Sequence, residues 1–261
     1  MSRVRRFSAL ASGAVCLATL FLVAPSPARA AQGVSLAWNH CLAQGTGVQN
    51  KQFACDVNTG AHVLVGAFTL SSAMPGVNGA EMVLQLGSAG PSLPAWWQLF
   101  FAGSCRQASL TANGNADPAD VACPKWGGDQ LFVGLATYCT STGTCVDRPS
   151  ATNQARIKII EAVPTEFATP LVGSQEYFSF NLVIGNAKTV GTDACAGCET
   201  PVCIVFNSIN VVAGPIVNRF ISTPSSPGSN FVTWQGGAGT NCPAATPTRN
   251  STWGGVKSLY R

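Results

Sequence analysis

The chain has 261 residues, 46% hydrophobic and only 10% charged, with eleven cysteines and two histidines. That is too apolar for a disordered chain and long enough to bury the core of a single domain. The formal charge of +4 comes from one end: Arg3, Arg5, Arg6 and Arg29 fall in the first thirty residues, and beyond them eleven basic residues face eleven acidic ones, which leaves nucleic-acid binding without an electrostatic footprint.

The first element is a leader. Three arginines precede an apolar run from Ala9 to Ala24, and Ala28-Arg29-Ala30 gives the small-x-small pattern of signal-peptidase cleavage, so residues 1–30 read as a secretory signal peptide cut after Ala30. The run is short for a membrane span and is broken at once by Pro25-Ser26-Pro27. Val15 before Cys16 argues against lipid attachment. The expectation is a secreted protein, extracellular, periplasmic or at the cell surface, with no transmembrane segment in the mature chain.

From residue 31 onward the dominant period is two. Strands are predicted at 34–38, 63–70, 81–86, 96–101, 131–138, 156–159, 176–184, 203–206, 208–211, 217–222 and 231–235. In the 176–184 run Phe178, Phe180, Leu182 and Ile184 are expected on one face. Turn dipeptides such as Pro75-Gly76, Asn78-Gly79, Gly127-Gly128 and Gly214-Pro215 punctuate the runs. Many short strands and no long helical pattern predict an all-β fold: an antiparallel β-sandwich, jelly-roll or cohesin-like, over 31–247 with long disulfide-tied loops. At 248–261, cap residues from Thr248 to Thr252 precede Trp253, Val256, Leu259 and Tyr260 on one helical side. A short C-terminal helix packed on or near the sandwich is expected there, weakened by Gly254 and Gly255.

Ten cysteines follow the leader, an even number suited to disulfides in an oxidising compartment. Local spacing predicts Cys41 with Cys55, Cys105 with Cys123 and Cys139 with Cys145; Cys195 with Cys203 and Cys198 with Cys242 complete the set. The competing reading of Cys195, Cys198, Cys203 and Cys242 is a zinc or redox site, which export disfavours.

The chain contains no nucleophile elbow, zinc-protease helix motif, phosphate loop or dinucleotide fingerprint. His40 and His62 read as histidines near strand ends. Glu161, Glu166 and Glu176, or Asp117, Asp120 and Asp129, are the carboxylates that would have to pair for glycoside hydrolysis. Asn113, Asn115, Asp117 and Asp120 place oxygens at alternate positions, the pattern of a loose calcium loop; otherwise no cofactor is expected. The adjacent Trp96 and Trp97, if on a strand, point to opposite faces, which would leave one indole as a platform for a sugar ring; Trp126 on a loop is the second candidate.

The ending Thr252-Trp253-Gly254-Gly255-Val256-Lys257-Ser258-Leu259-Tyr260-Arg261, with Ala37-Trp38-Asn39-His40-Cys41 and Cys195-Ala196-Gly197-Cys198, resembles secreted, cysteine-rich bacterial proteins that have no established activity. The resemblance implies no functional residue. The expected function is a non-catalytic binding module for a surface carbohydrate or a protein partner. The alternatives are a structural component of an envelope or extracellular assembly, and a hydrolase with an unrecognised site.

Overall fold

The computed structural model describes residues 31–42, 46–115, 122–236 and 242. The expected leader at 1–30 and the expected C-terminal helix at 248–261 lie outside the described residues. Among those described, the regular structure is almost entirely β: β1 (Gly33–Trp38), β2 (Asn50–Lys51), β3 (Ala61–Thr69), β4 (Met74–Ser88), β5 (Leu110–Asn113), β6 (Phe132–Thr140), β7 (Gln154–Ala162), β8 (Thr169–Leu171), β9 (Glu176–Gly185), β10 (Val202–Ala213), β11 (Val217–Ile221) and β12 (Phe231–Trp234). The helical pieces are single 3₁₀ turns, and no described helix is long and apolar enough to cross a membrane.

The strands form two sheets. The smaller runs β1-β3-β9-β5; the larger runs β2-β12-β10-β4-β7-β6, with β11 added to β10 and β8 to β4. All pairings are antiparallel except the short β2–β12 contact. Residues of both sheets share one apolar core, with Leu36, Leu64, Leu182 and Ile184 from the smaller sheet and Met82, Leu84, Ile157, Ile159 and Ile204 from the larger. Phe180 and Phe206 meet across it at 5.4 Å.

Bulges explain where simple alternation fails. Between β3 and β9 the register slips at Gly66/Ala67, so Ser179 is the extra residue. Phe180, Leu182 and Ile184 face the shared core as expected, but Phe178 is turned to the opposite face. There it packs with Val65 and Ala67 under the Cys41–Cys123 bridge. A bulge re-aims side chains in this way because its unpaired residue shifts the pleat by one. A second slip at Phe206/Ser208 falls inside β10, which spans the predicted runs 203–206 and 208–211. The Pro75-Gly76 and Asn78-Gly79 signals are absorbed into the long β4, which carries register irregularities there rather than a chain reversal. The segment predicted as a strand at 96–101 is instead a 3₁₀ turn followed by irregular chain.

Gly66 sits opposite Phe180 in the β3–β9 ladder, and a Cβ added to it would fall well inside contact distance of the Phe180 ring. Gly66→Ala is therefore expected to destabilise by about 1–3 kcal/mol, the usual cost of overpacking. Urea unfolding, followed by tryptophan fluorescence, measures it; an unchanged midpoint would mean the ring can step aside freely.

The ten cysteines from Cys41 to Cys242 form five disulfides: Cys41–Cys123, Cys55–Cys198, Cys105–Cys195, Cys139–Cys145 and Cys203–Cys242. Only the tight Cys139–Cys145 loop matches the pairing read from spacing. The other predicted pairs are replaced by bridges between distant segments, because the topology brings those Cα atoms to 5.4–6.0 Å. Cys203 pairs with Cys242, while Cys195 and Cys198 are bonded to Cys105 and Cys55, so no thiolate set remains for zinc.

Candidate functional site

The tryptophans singled out by sequence are interior. Trp96 and Trp97 lie on the 3₁₀ turn Ala95–Trp97 and are both fully buried. The opposite-face rule applies to strands; successive residues of a 3₁₀ turn are about 120° apart, so two neighbours can enter one core. Their rings close on Trp234 at 4.9 and 5.2 Å, and Trp234 stacks on Phe53 at 4.0 Å. Arg106 seals this cluster. Its guanidinium lies 3.5 Å from the centre of the Trp96 ring and donates to the carbonyls of Ala187, Trp96 and Gly185. Burial pushes its pKa down to about 10, still charged at neutral pH. The bridges Cys55–Cys198 and Cys105–Cys195 belong to the same core. Trp126 is likewise buried, donating through Nε1 to Glu161 Oε2 at 2.6 Å. None of the three indoles is a surface platform.

The other candidates disperse. Asn113 Oδ1 accepts the backbone N–H of Asn115 at 3.1 Å, a local turn bond, while Asp117 and Asp120 lie outside the described residues. Cys41, Cys123 and Glu176 approach one another closely, but both sulfurs are held in their bridge, and Glu176 accepts from Ser35 Oγ at 2.7 Å. Glu161 is buried within the fold and Glu166 sits on the surface 3₁₀ turn Thr165–Phe167. His62 packs on Phe53 and Trp234 at 4.3 and 5.1 Å. Desolvation, then Lys51 nearby, lowers its pKa, with Asn186 opposing.

What the fold builds instead is a groove on the face of the larger sheet turned away from the core. Register places Gly134, Ile160, Glu81, Asn210 and Phe220 in one row across β6, β7, β4, β10 and β11. Phe132, Ala162, Gly79, Val212 and Asn218 form the row beside it. On the other side lie Thr137, Lys158 and Val83, then Cys139, Arg156 and Gln85. The Cys139–Cys145 bridge supports a loop that walls this last stretch. The resulting concavity, about 240 Å³, is bordered by Glu81, Thr137, Val146, Asp147, Lys158 and Ile160, with Arg156 at its base.

Its electrostatics are internally balanced. Lys158 Nζ is 2.5 Å from Asp147 Oδ2 and 3.6 Å from Glu81 Oε1. Arg156 donates through Nη1 to the Asp147 carbonyl at 3.0 Å and through Nη2 to Gln85 Oε1 at 3.5 Å. The loop is thus tied to the sheet by two cations as well as by the bridge. Arg156 Nε is buried without a partner. The groove's two carboxylates thus share one ammonium, that of Lys158. Around the charges stand apolar side chains in solvent: Val146 (76% exposed), Phe132 (65%) and Ile160 (45%).

Sequence reasoning missed this site because each residue looks ordinary alone. The one available signal was the outward half of the predicted 156–159 strand, where Arg156 and Lys158 alternate with Ile157 and Ile159. No protein-family model matches the chain, and neither does any curated protein sequence.

Proposed function

We propose that the chain is an exported, disulfide-braced β-sandwich of jelly-roll or cohesin-like kind, and that it works outside the cytoplasm without catalysis, by binding a protein partner. The recognition surface is the groove under the Cys139–Cys145 loop with its apolar border. The observation that carries the reading is the exposure of Phe132, Ile160 and Val146 around a fixed set of charges. Apolar residues rimmed by polar ones mark protein interaction sites, and a groove pinned by a bridge and ion pairs loses little entropy on binding. A carbohydrate ligand is the lesser reading, since the indoles that would stack on sugars are interior. The face-to-face sandwich is supported by the core shared between the sheets, and export by the leader and the full use of the ten cysteines in bridges.

The test uses the mature protein, oxidised and immobilised, against protein and polysaccharide fractions from the surface of the producing cells. Phe132→Asp with Ile160→Asp is expected to weaken capture of a protein component about 30-fold, as for loss of a 2 kcal/mol anchor, with little change in melting temperature because both residues are exposed. Undiminished capture by the double variant, or capture of purified glycan alone, would overturn the reading.

A further inference from the structure

The Cys139–Cys145 bridge differs from the other four in what it holds. Cys55, Cys105, Cys195 and Cys198 sit in or against the main core, Cys41 and Cys123 in the second apolar cluster, and Cys203 and Cys242 in or against the third. Cys139 and Cys145 belong to none of these clusters and instead line the groove. Cys139 is buried on β6, but Cys145 is half-buried and also borders a second depression, with Ser141, Arg148 and Ser150. Few other ties hold the loop. The Gly143 and Arg148 N–H groups donate to the Thr140 and Cys145 carbonyls at 3.0 and 3.3 Å, both local turn bonds. Among the described residues, hydrogen bonds and ion pairs join 141–148 to the sheet through Asp147 alone, by its Oδ2 to Lys158 and its carbonyl to Arg156. The Asp147 side chain is 42% exposed, and an ion pair so placed holds a loop weakly on its own.

We propose that this bridge is a redox latch on the groove: reduction by a dithiol frees the 141–148 loop, takes Val146 and Asp147 out of the groove wall, and releases the bound partner. The proposal rests on the reading of the groove as the recognition surface. In the exchange, a thiolate of the reductant attacks Cys145 Sγ, the more accessible sulfur, forming a mixed disulfide, and Cys139 leaves as a thiolate that takes a proton from water. The second thiolate of the reductant then attacks its own sulfur in the mixed disulfide and expels Cys145, which is protonated likewise. The bridge gains two electrons and two protons, and the dithiol becomes a disulfide. The local consequence is a change of packing and of charge, the usual form of a redox switch. Without the bridge the loop is left on the contacts of Asp147; once these part, Lys158 keeps only Glu81, at 3.6 Å. The sheets stay closed, because the other four bridges and the shared core do not involve the loop.

A time course with dithiothreitol at neutral pH, without denaturant, tests the latch on the oxidised mature protein. Quenched with N-ethylmaleimide and mapped by mass, it is expected to label Cys139 and Cys145 at least about tenfold faster than the cysteines of any other bridge. Amide hydrogen exchange over 141–148 should then rise at least about tenfold while β4 and β10 keep their protection. The opened, alkylated protein, freed of reductant, is expected to capture the surface-protein fraction about tenfold more weakly than the bridged protein. Cys139→Ser with Cys145→Ser should weaken capture equally with no reductant used, so the result does not hang on the added alkyl groups. Earlier opening of another bridge, or unchanged exchange in the loop once this bridge is open, would overturn the latch. Undiminished capture by the opened protein, where Phe132→Asp with Ile160→Asp abolishes it, overturns the latch and leaves the groove reading standing. Capture that neither change diminishes refutes the groove reading itself, and the latch with it.

Discussion

Removing the Cys55–Cys198 bridge, as Cys55→Ala with Cys198→Ala, is expected to cost about 4 kcal/mol, against about 2 kcal/mol for removing Cys139–Cys145 by the same double substitution. The bridged residues are 143 apart in one case and 6 in the other. The first figure is not set by 143 residues, however. With Cys41–Cys123 and Cys105–Cys195 intact, the shortest covalent path from Cys55 to Cys198 is already roughly 35 residues, and the chain-entropy cost grows only with the logarithm of that path. The native side reinforces the ranking. Cys55 follows Phe53, which stacks on Trp234, and the Cys198 carbonyl accepts the Trp234 indole N–H at 2.7 Å. Releasing the bridge loosens two supports of the aromatic cluster together. The losses correspond to about 10 °C or more in melting temperature for the first variant and roughly half that for the second. Calorimetry of both variants with the remaining bridges verified by mass is the measurement. Equal losses would show that loop constraint does not govern this fold.

The strands were largely legible because the period-two pattern depends on neighbours along the chain. β1, β3, β6, β7, β9, β11 and β12 lie where alternation placed them, within a few residues. What alternation did not reveal depends on the partner strand. Phe178 could be assigned to its true face only by knowing that Ser179 bulges against Gly66 and Ala67. β5 is absent from the predicted strands, since Leu110-Thr111-Ala112-Asn113 becomes a strand only by pairing with β9. The disulfides failed for the same reason. Proximity in sequence suggested Cys41 with Cys55, but the smaller sheet carries Cys41 across to Cys123, while Cys55 reaches Cys198 near Trp234.

The sites divide along the same line. Trp96, Trp97 and Trp126 were expected to offer an indole to a sugar, yet whether an indole faces ligand or core is decided by chain far away: Arg106 and Trp234 enclose Trp96, and Glu161 receives Trp126. The groove required the register of three strands and the fold-back of a six-residue bridge before Lys158, Asp147 and Glu81 met. No pairwise spacing in the sequence encodes that meeting.

Raising the pH from 4.5 to 8 is expected to weaken the wild-type fold relative to a Glu161→Gln variant by on the order of 3 kcal/mol. Glu161 is 3% exposed, with Trp126 Nε1 donating to one carboxyl oxygen and Ser179 Oγ to the other, and no cation shares the site among the described residues. Burial raises its pKa to about 7, with the Ser179 and Trp126 hydrogen bonds opposing the rise. The folded protein therefore holds this proton more tightly than the unfolded chain does. Between the unfolded value near 4.3 and about 7, the native state binds more protons, so stability falls as pH rises. The contribution is complete below that window and gone above it. Glutamine keeps the shape and stays neutral, so its variant should lack this slope. Other titrating groups cancel in the comparison, including His62, whose lowered pKa contributes a slope of opposite sign. Urea unfolding of both proteins at half-unit pH steps supplies the curves. Parallel curves would mean that Glu161 is ionised in the folded state throughout, and that the bulge at Ser179 holds a carboxylate rather than a neutral acid between the sheets.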